Sequence, residues 1–265
     1  MIRKPAVAGY FYPRDPIRLR EMIERFLPPK AKKIKALGAL CPHAGYMYSG
    51  PVAAAIYSNI YIPEKVILIG PNHTGLGARA SIMTEGSWLT PLGEVKIDAS
   101  LASKILENSQ SLQEDTQAHL AEHSLEVQIP FLQYFRPQVK IVPIAIMGIS
   151  YDTARDIGEA IAKAIASQEA LVIASSDMTH YEPQDVAVEK DHKALEAILN
   201  LDPKGLYERV MAYNISMCGV MPAIAALTAC IRLGCQKAQL IRYMTSGDVT
   251  GDYSQVVGYA GVIIY

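Results

Sequence analysis

Three histidines in this chain each follow closely on an apolar, strand-like run. "ALGALCP" leads into His43, "VILIGPN" into His73, and "ALVIASSDMT" into Asp177 and His180. In an open α/β sheet, ligands bind beyond the carboxyl ends of the strands, so these rings are placed to converge on one crevice. An imidazole there serves as a metal ligand or as an acid–base group near neutral pH; the alternative for each ring alone is to plug a turn. Cys218, in "NISMCGVMPAIAAL", stands at the expected start of a helix. The positive end of a helix favours anions, which would lower the thiol pKa and supply a thiolate. The competing reading is a small buried apolar residue, the usual fate of a free cysteine.

Other chemistry-bearing residues read as structural. "HLAEH", residues 119 to 123, matches a zinc-peptidase pattern with two imidazoles spaced i, i+4. The helical pattern begins near Glu122 and His123, however, so His119 need not share their face. Glu122 then sits near a positive helix end, with Leu125, Ile129 and Leu132 as a buried stripe. Cys230 and Cys235 belong to the body and end of a core helix, and Cys41 to a strand. Gly45, Gly70 and Gly75 flank the histidines as turn residues.

Positioning these side chains requires strands, and the sequence supplies six: residues 35–41, 65–71, 140–147, 170–176, 238–245 and 256–264. Several are continuous apolar runs, as strands covered on both faces should be. Helical patterns alternate with them at 15–27, 50–60, 99–108, 123–135, 151–167, 184–200 and 219–233, with Gly50-Pro51 opening the second. Residues 81–98 read as a hairpin insertion. The alternation predicts a three-layer α/β/α arrangement around a mostly parallel central sheet. No repeat or linker divides the chain, so one domain over residues 1–265 is expected.

Composition excludes several function classes. Half the residues are hydrophobic and the net charge is −1, so neither disorder nor binding to nucleic acid is expected. The basic run "KAKKIK" after Pro28-Pro29 reads as a solvated loop. Residues 217–231 are too short to span a bilayer, and the N-terminus lacks a signal-peptide pattern, so no membrane association is expected. Four cysteines without a CxxC pair point to a reducing cytoplasm.

"CPHAGYMYSGPVAA", "GPNHTG", "EHSLEVQIPFL", "ASSDMTHY" and "MCGVMPA", in this order, together with the terminal "AVAGYFYP" and "VVGYAGVII", resemble the Memo family over nearly the whole chain. The resemblance implies a fold shared with class III extradiol dioxygenases, which are non-haem iron(II) enzymes. It implies His43, His73 and Cys218 as ligands of one metal ion, with iron favoured over copper or zinc. His180 would be the base with Asp177 beside it, and Glu122, His123 and Tyr46 would line or support the pocket. The implied function is a redox or oxygen-linked activity on an unknown small substrate. A metal-free thiol enzyme using Cys218, and a phosphopeptide- or protein-binding signalling module using the same pocket, are the competing readings. The resemblance also implies radical-SAM and AMMECR-type proteins as partners.

Overall fold

Apolar strands without alternation must be covered on both sides. The computed structural model, which describes residues 1–265, meets that demand with a three-layer α/β/α arrangement. Five parallel neighbours form the centre of the sheet, in the order Gly93–Ile97, Lys140–Ile146, Lys65–Pro71, Leu171–Ser175 and Gly38–Cys41. Their register puts Pro71 level with Ile146, and Cys41 level with Ser175. His43, His73 and Asp177 therefore all leave the sheet along the same edge. Val256–Ile264 adds to this centre antiparallel, and Ala238–Thr245 and His180–Glu182 pair antiparallel with it in turn. The sheet is thus parallel at its centre and antiparallel on that flank. The helices Tyr151–Ile165 and Val220–Arg232 pack on each other, and the latter covers the central strands. Tyr46–Asn59 lies against Ile129–Phe135 and the antiparallel flank.

Some elements differ from expectation. The second helix starts at Tyr46, not at Gly50-Pro51, and Pro51 lies inside it. Its first turn is satisfied from outside: Tyr46 N–H bonds to the Phe11 carbonyl, and Ser49 Oγ–H to the Ala44 carbonyl. Residues 123–135 are not one helix. A short helix Gln117–Leu120 precedes a loop holding Glu122 and His123, then a 3-10 turn Glu126–Gln128 and the helix Ile129–Phe135. Residues 81–98 do contain a hairpin, Ser87–Thr90 with Gly93–Ile97, but it is built into the main sheet through Lys140–Ile146. The helix Pro203–Ala212 was not read from the sequence; Asp202 caps it and Pro203 opens it. No helix is long and apolar enough to cross a membrane.

His119 is buried away from the crevice. Its Nε2 meets Ser81 Oγ at 2.9 Å, Trp88 lies edge-on, and Nδ1 has no partner. His119 and His123 stand on different elements, so the zinc-peptidase reading has no shared helix face. Burial, then the nearby Arg3 guanidinium, lowers the His119 pKa to about 4. An unfolded chain protonates this ring near pH 6.5 and the folded chain only near 4, so unfolding takes up a proton in between and stability rises with pH across that window. We expect denaturation midpoints to fall as pH drops from 6.5 to 4, with this ring contributing roughly 3 kcal/mol. A pH-independent midpoint across that range would contradict it.

Candidate metal centre

The bond network beneath His43 fixes its tautomer. Ser175 Oγ donates to the Ser124 carbonyl (2.7 Å) and accepts from Gln128 Nε2 (2.9 Å). Its remaining lone pair faces His43 Nδ1 at 3.0 Å, so Nδ1 carries the ring hydrogen. Gln128 is itself locked: its amide also donates to the Pro42 carbonyl, and its carbonyl accepts from Tyr57 OH. Nε2 of His43 is left as a bare lone pair, 3.3 Å from Cys218 Sγ. In that pair the thiol is the donor and the imidazole the acceptor.

His73 is set in the same tautomer by a different device. Its Nδ1 lies 3.0 Å from Glu122 Oε1, and its backbone N–H bonds to the other carboxylate oxygen. Glu122 is fully buried and also accepts from the backbone N–H groups of His123 and Ser124, each at 2.8 Å. Burial pushes this carboxyl up, but the His73 ring N–H and the Ser124 N–H outweigh it and bring the pKa to about 2. An anionic Glu122 makes His73 Nδ1 the donor and leaves Nε2 free.

Cys218 reaches the two rings through a close backbone approach. A Cβ on Gly219 would lie 2.4 Å from the Ser175 carbonyl oxygen and 2.4 Å from Ser176 Cβ, so only glycine lets this loop press against the strand end. The loop is pinned there by Gly219 N–H to Ser176 Oγ (2.9 Å). Cys218 does precede a helix, Val220–Arg232, yet its thiol is not acidified as the sequence suggested. Burial and the Asp177 carboxylate push its pKa well up, against the opposing pull of the Asp177 N–H and the Ser176 hydroxyl.

One ligand atom from each of His43, His73 and Cys218 lies within 4.8 Å of the others. Usual metal–nitrogen and metal–sulfur bonds sum to about 4.4 Å, so one ion can touch both His43 Nε2 and Cys218 Sγ. A second group, His73, Glu122 and His123, is equally close-set. Its carboxylate, however, already accepts three backbone N–H groups and a ring N–H. Metal there would compete with buried donors that have no other partner, so Glu122 fits the role of anchor better than that of ligand. Replacing Glu122 by Gln is expected to lower metal affinity about 10- to 100-fold through loss of His73 orientation. Unchanged affinity, measured by competition with a chelator, would contradict the anchor role.

The floor just described opens into a cavity of about 720 Å³. His43, His73, His123, Asp177 and His180 line its polar end, and Phe11, Tyr48, Tyr181 and Tyr259 are among its walls. Tyr46, expected at the pocket, is instead core: it is 2% exposed, bonds to the Val127 carbonyl and packs on Phe131. Tyr48, two residues on, takes the lining position. His180 donates from Nδ1 to the Ser216 carbonyl (3.0 Å), leaving Nε2 as an acceptor. It is aimed by an irregular step between His180 and Glu182, where Tyr181 adopts φ 58°. A non-glycine residue held in the left-handed region costs of order 1 kcal/mol, and such outliers cluster at functional sites. Asp177 is buried, and its carboxylate accepts the His43 backbone N–H at 2.8 Å. Burial raises its pKa despite that bond.

Five of the residues singled out in the sequence (His43, His73, Asp177, His180 and Cys218) therefore meet at one sheet edge, with His123 at the cavity wall and Glu122 beneath it. Ser175 and Gln128, which set the His43 tautomer, were missed. "ASSD" offered a hint at Ser175, but Gln128 sits in an apolar stretch and carried no signal. A family model described as "Memo-like protein" matches residues 3–263. The chain is 47% identical to a MEMO1 family protein of Methanothermobacter thermautotrophicus, over 98% of this chain and 99% of that one. It is 46% identical to a MEMO1 family protein of Aquifex aeolicus, over 99% and 98%. A solved structure of an uncharacterized protein from Escherichia coli K12 superposes with a TM-score of 0.57 at 12% identity, covering 86% of this chain and all of that one; this likeness concerns fold alone.

Proposed function

The chain belongs to the Memo family, and from that footing we propose that it is a metal-dependent protein acting on a small organic substrate, with a redox or oxygen-linked activity. One observation carries the reading: two imidazoles, each with Nδ1 engaged by a buried network and Nε2 left free, meet a thiol at the polar end of an aromatic-walled cavity that both rings line. His43, His73 and Cys218 would hold the ion. Two imidazoles and a sulfur suit borderline-soft ions, so iron, copper and zinc are the candidates. When bound, the ion supplies Lewis acidity and, for iron or copper, a one-electron couple.

The protein's own groups divide the remaining work. Cys218 gives up its thiol proton on binding the ion, so affinity rises with pH. Tyr48, Tyr259 and Phe11 give flat apolar walls for a ring or a similarly weakly polar substrate. His180 Nε2 accepts a proton from a substrate hydroxyl at the polar end, and its Nδ1 bond to Ser216 keeps the ring in place. Asp177 holds the His43 backbone and adds negative charge beside the rings.

The raised thiol pKa speaks against a metal-free thiolate nucleophile. No lysine or arginine lines the cavity to pair with a phosphate, which weighs against a phosphopeptide site. Chelator-treated protein titrated anaerobically with iron(II), copper(I) and zinc should bind one ion per chain, and His43→Ala should bind none at that stoichiometry. If wild type refuses all three ions, or the variant binds like wild type, the proposal fails.

A further inference from the structure

The His43–His73–Cys218 group has a second face. A separate cavity of about 340 Å³ opens against it, lined by Asn72, His73, Met147, Cys218, Val220 and Met221 among others. His73 is the single residue common to both cavities. His43 lines only the aromatic one, and Cys218 only the smaller one. The thiol is thus reached from a cavity other than the aromatic one.

The chemistry of the smaller cavity is restrictive. No Lys, Arg, Asp or Glu lines it. The side chain of Asn72, its one amide, is spent on its own turn: Nδ2 donates to the Leu76 carbonyl, and Oδ1 accepts from Thr74 N–H and Oγ1–H. A charged molecule entering would lose hydration and find no counter-charge. Hydrophobic side chains, two of them the thioethers Met147 and Met221, make most of the wall.

We propose that this cavity is a second ligand site, taking a small, neutral, weakly polar molecule to the Cys218 side of the group. The larger organic molecule occupies the aromatic cavity. Two reactants then reach one centre from separate directions, and neither must leave for the other to enter. The inference rests on the metal reading for its catalytic meaning, but the route itself is a property of the protein.

The test separates the two. In metal-free protein, Cys218 is modified with methyl methanethiosulfonate, which is small and neutral, and with its sulfonatoethyl and trimethylammonioethyl counterparts, which are charged. Mass spectrometry reports the rate at Cys218. The neutral reagent should react fastest, and Met221→Trp should slow it about tenfold or more, whereas Met47→Trp at the aromatic mouth should leave it within about twofold. Met147→Trp, on another wall, should repeat the effect and guards against a misfolded Met221 variant. Charged reagents reacting as fast as the neutral one would overturn the proposal. So would slowing by Met47→Trp alone, or indifference to both cavity-filling variants. Iron(II)-loaded protein then supplies the second arm: nitric oxide association, followed by its spectroscopic signature, should slow in Met221→Trp and not in Met47→Trp. A protein that takes no iron fails the metal reading while leaving the thiol measurement to decide the route.

Discussion

Glu126→Gln is expected to be among the most destabilising single changes in this chain, costing roughly 3–5 kcal/mol. Arg3 and Glu126 form a salt bridge in which Arg3 is 1% exposed and Glu126 fully buried. Arg3 also donates to the His119 carbonyl (2.8 Å) and the Glu122 carbonyl (2.6 Å), and lies 4.2 Å over the Trp88 ring. Glu126 in turn accepts the backbone N–H groups of Ala6 and Val7 and the hydroxyl of Tyr12. A neutral amide leaves the guanidinium buried without its counter-charge, and an amide NH₂ cannot accept the donors that a carboxylate oxygen does. Because these bonds tie the N-terminal segment to the loop holding Glu122 and His123, the damage should reach the cavity wall at Phe11 as well. Guanidinium unfolding of wild type and variant gives the value; a loss under about 1 kcal/mol would show the pair to be dispensable. The double replacement Arg3→Met with Glu126→Met should recover only part of the loss: it removes both charges together, but leaves the His119 and Glu122 carbonyls and the Ala6, Val7 and Tyr12 donors without these partners.

The second large effect concerns affinity. Cys218→Ser should lower zinc and copper binding by more than about 100-fold, beyond what loss of a supporting hydrogen bond costs. A hydroxyl is a poor substitute for a thiolate toward soft ions, and iron(II), which accepts oxygen ligands readily, should lose less. The fold should survive, because Gly219 N–H to Ser176 Oγ still holds the loop and a serine hydroxyl can still accept the Asp177 N–H that meets Cys218 Sγ at 3.3 Å. Competition titrations with each ion would read the ratio. Equal losses for all three ions, or none, would mean that sulfur does not set selectivity.

The legible part of this structure is the part governed by apolar periodicity. All six strands read from the sequence are present within a few residues, because most of them are buried and written as apolar runs. The positions of His43, His73, Asp177 and His180 followed from those strand ends. Helix starts were less legible. Tyr46 begins its helix by bonding to Phe11, a partner from another part of the chain, so Gly50-Pro51 gave a false start. The stretch 123–135 carries a helical stripe but spends its first residues on a loop, since Glu122 is consumed by the N–H groups around it. Aromatic residues misled for a related reason: Tyr46 and Tyr48 differ by two positions, which on a helix turns one ring to the core and the other to the cavity. The thiol's raised pKa could not be read either. Proximity to a helix start is visible in sequence, whereas burial beside Asp177 depends on where two distant loops meet.

Anomalous scattering from crystals grown anaerobically with iron(II) tests the central claim most directly. The account predicts one peak per chain, within bonding distance of His43 Nε2, His73 Nε2 and Cys218 Sγ, at the floor shared by the two cavities. A peak between Glu122 and His123, or no peak from protein soaked in excess ion, would contradict it.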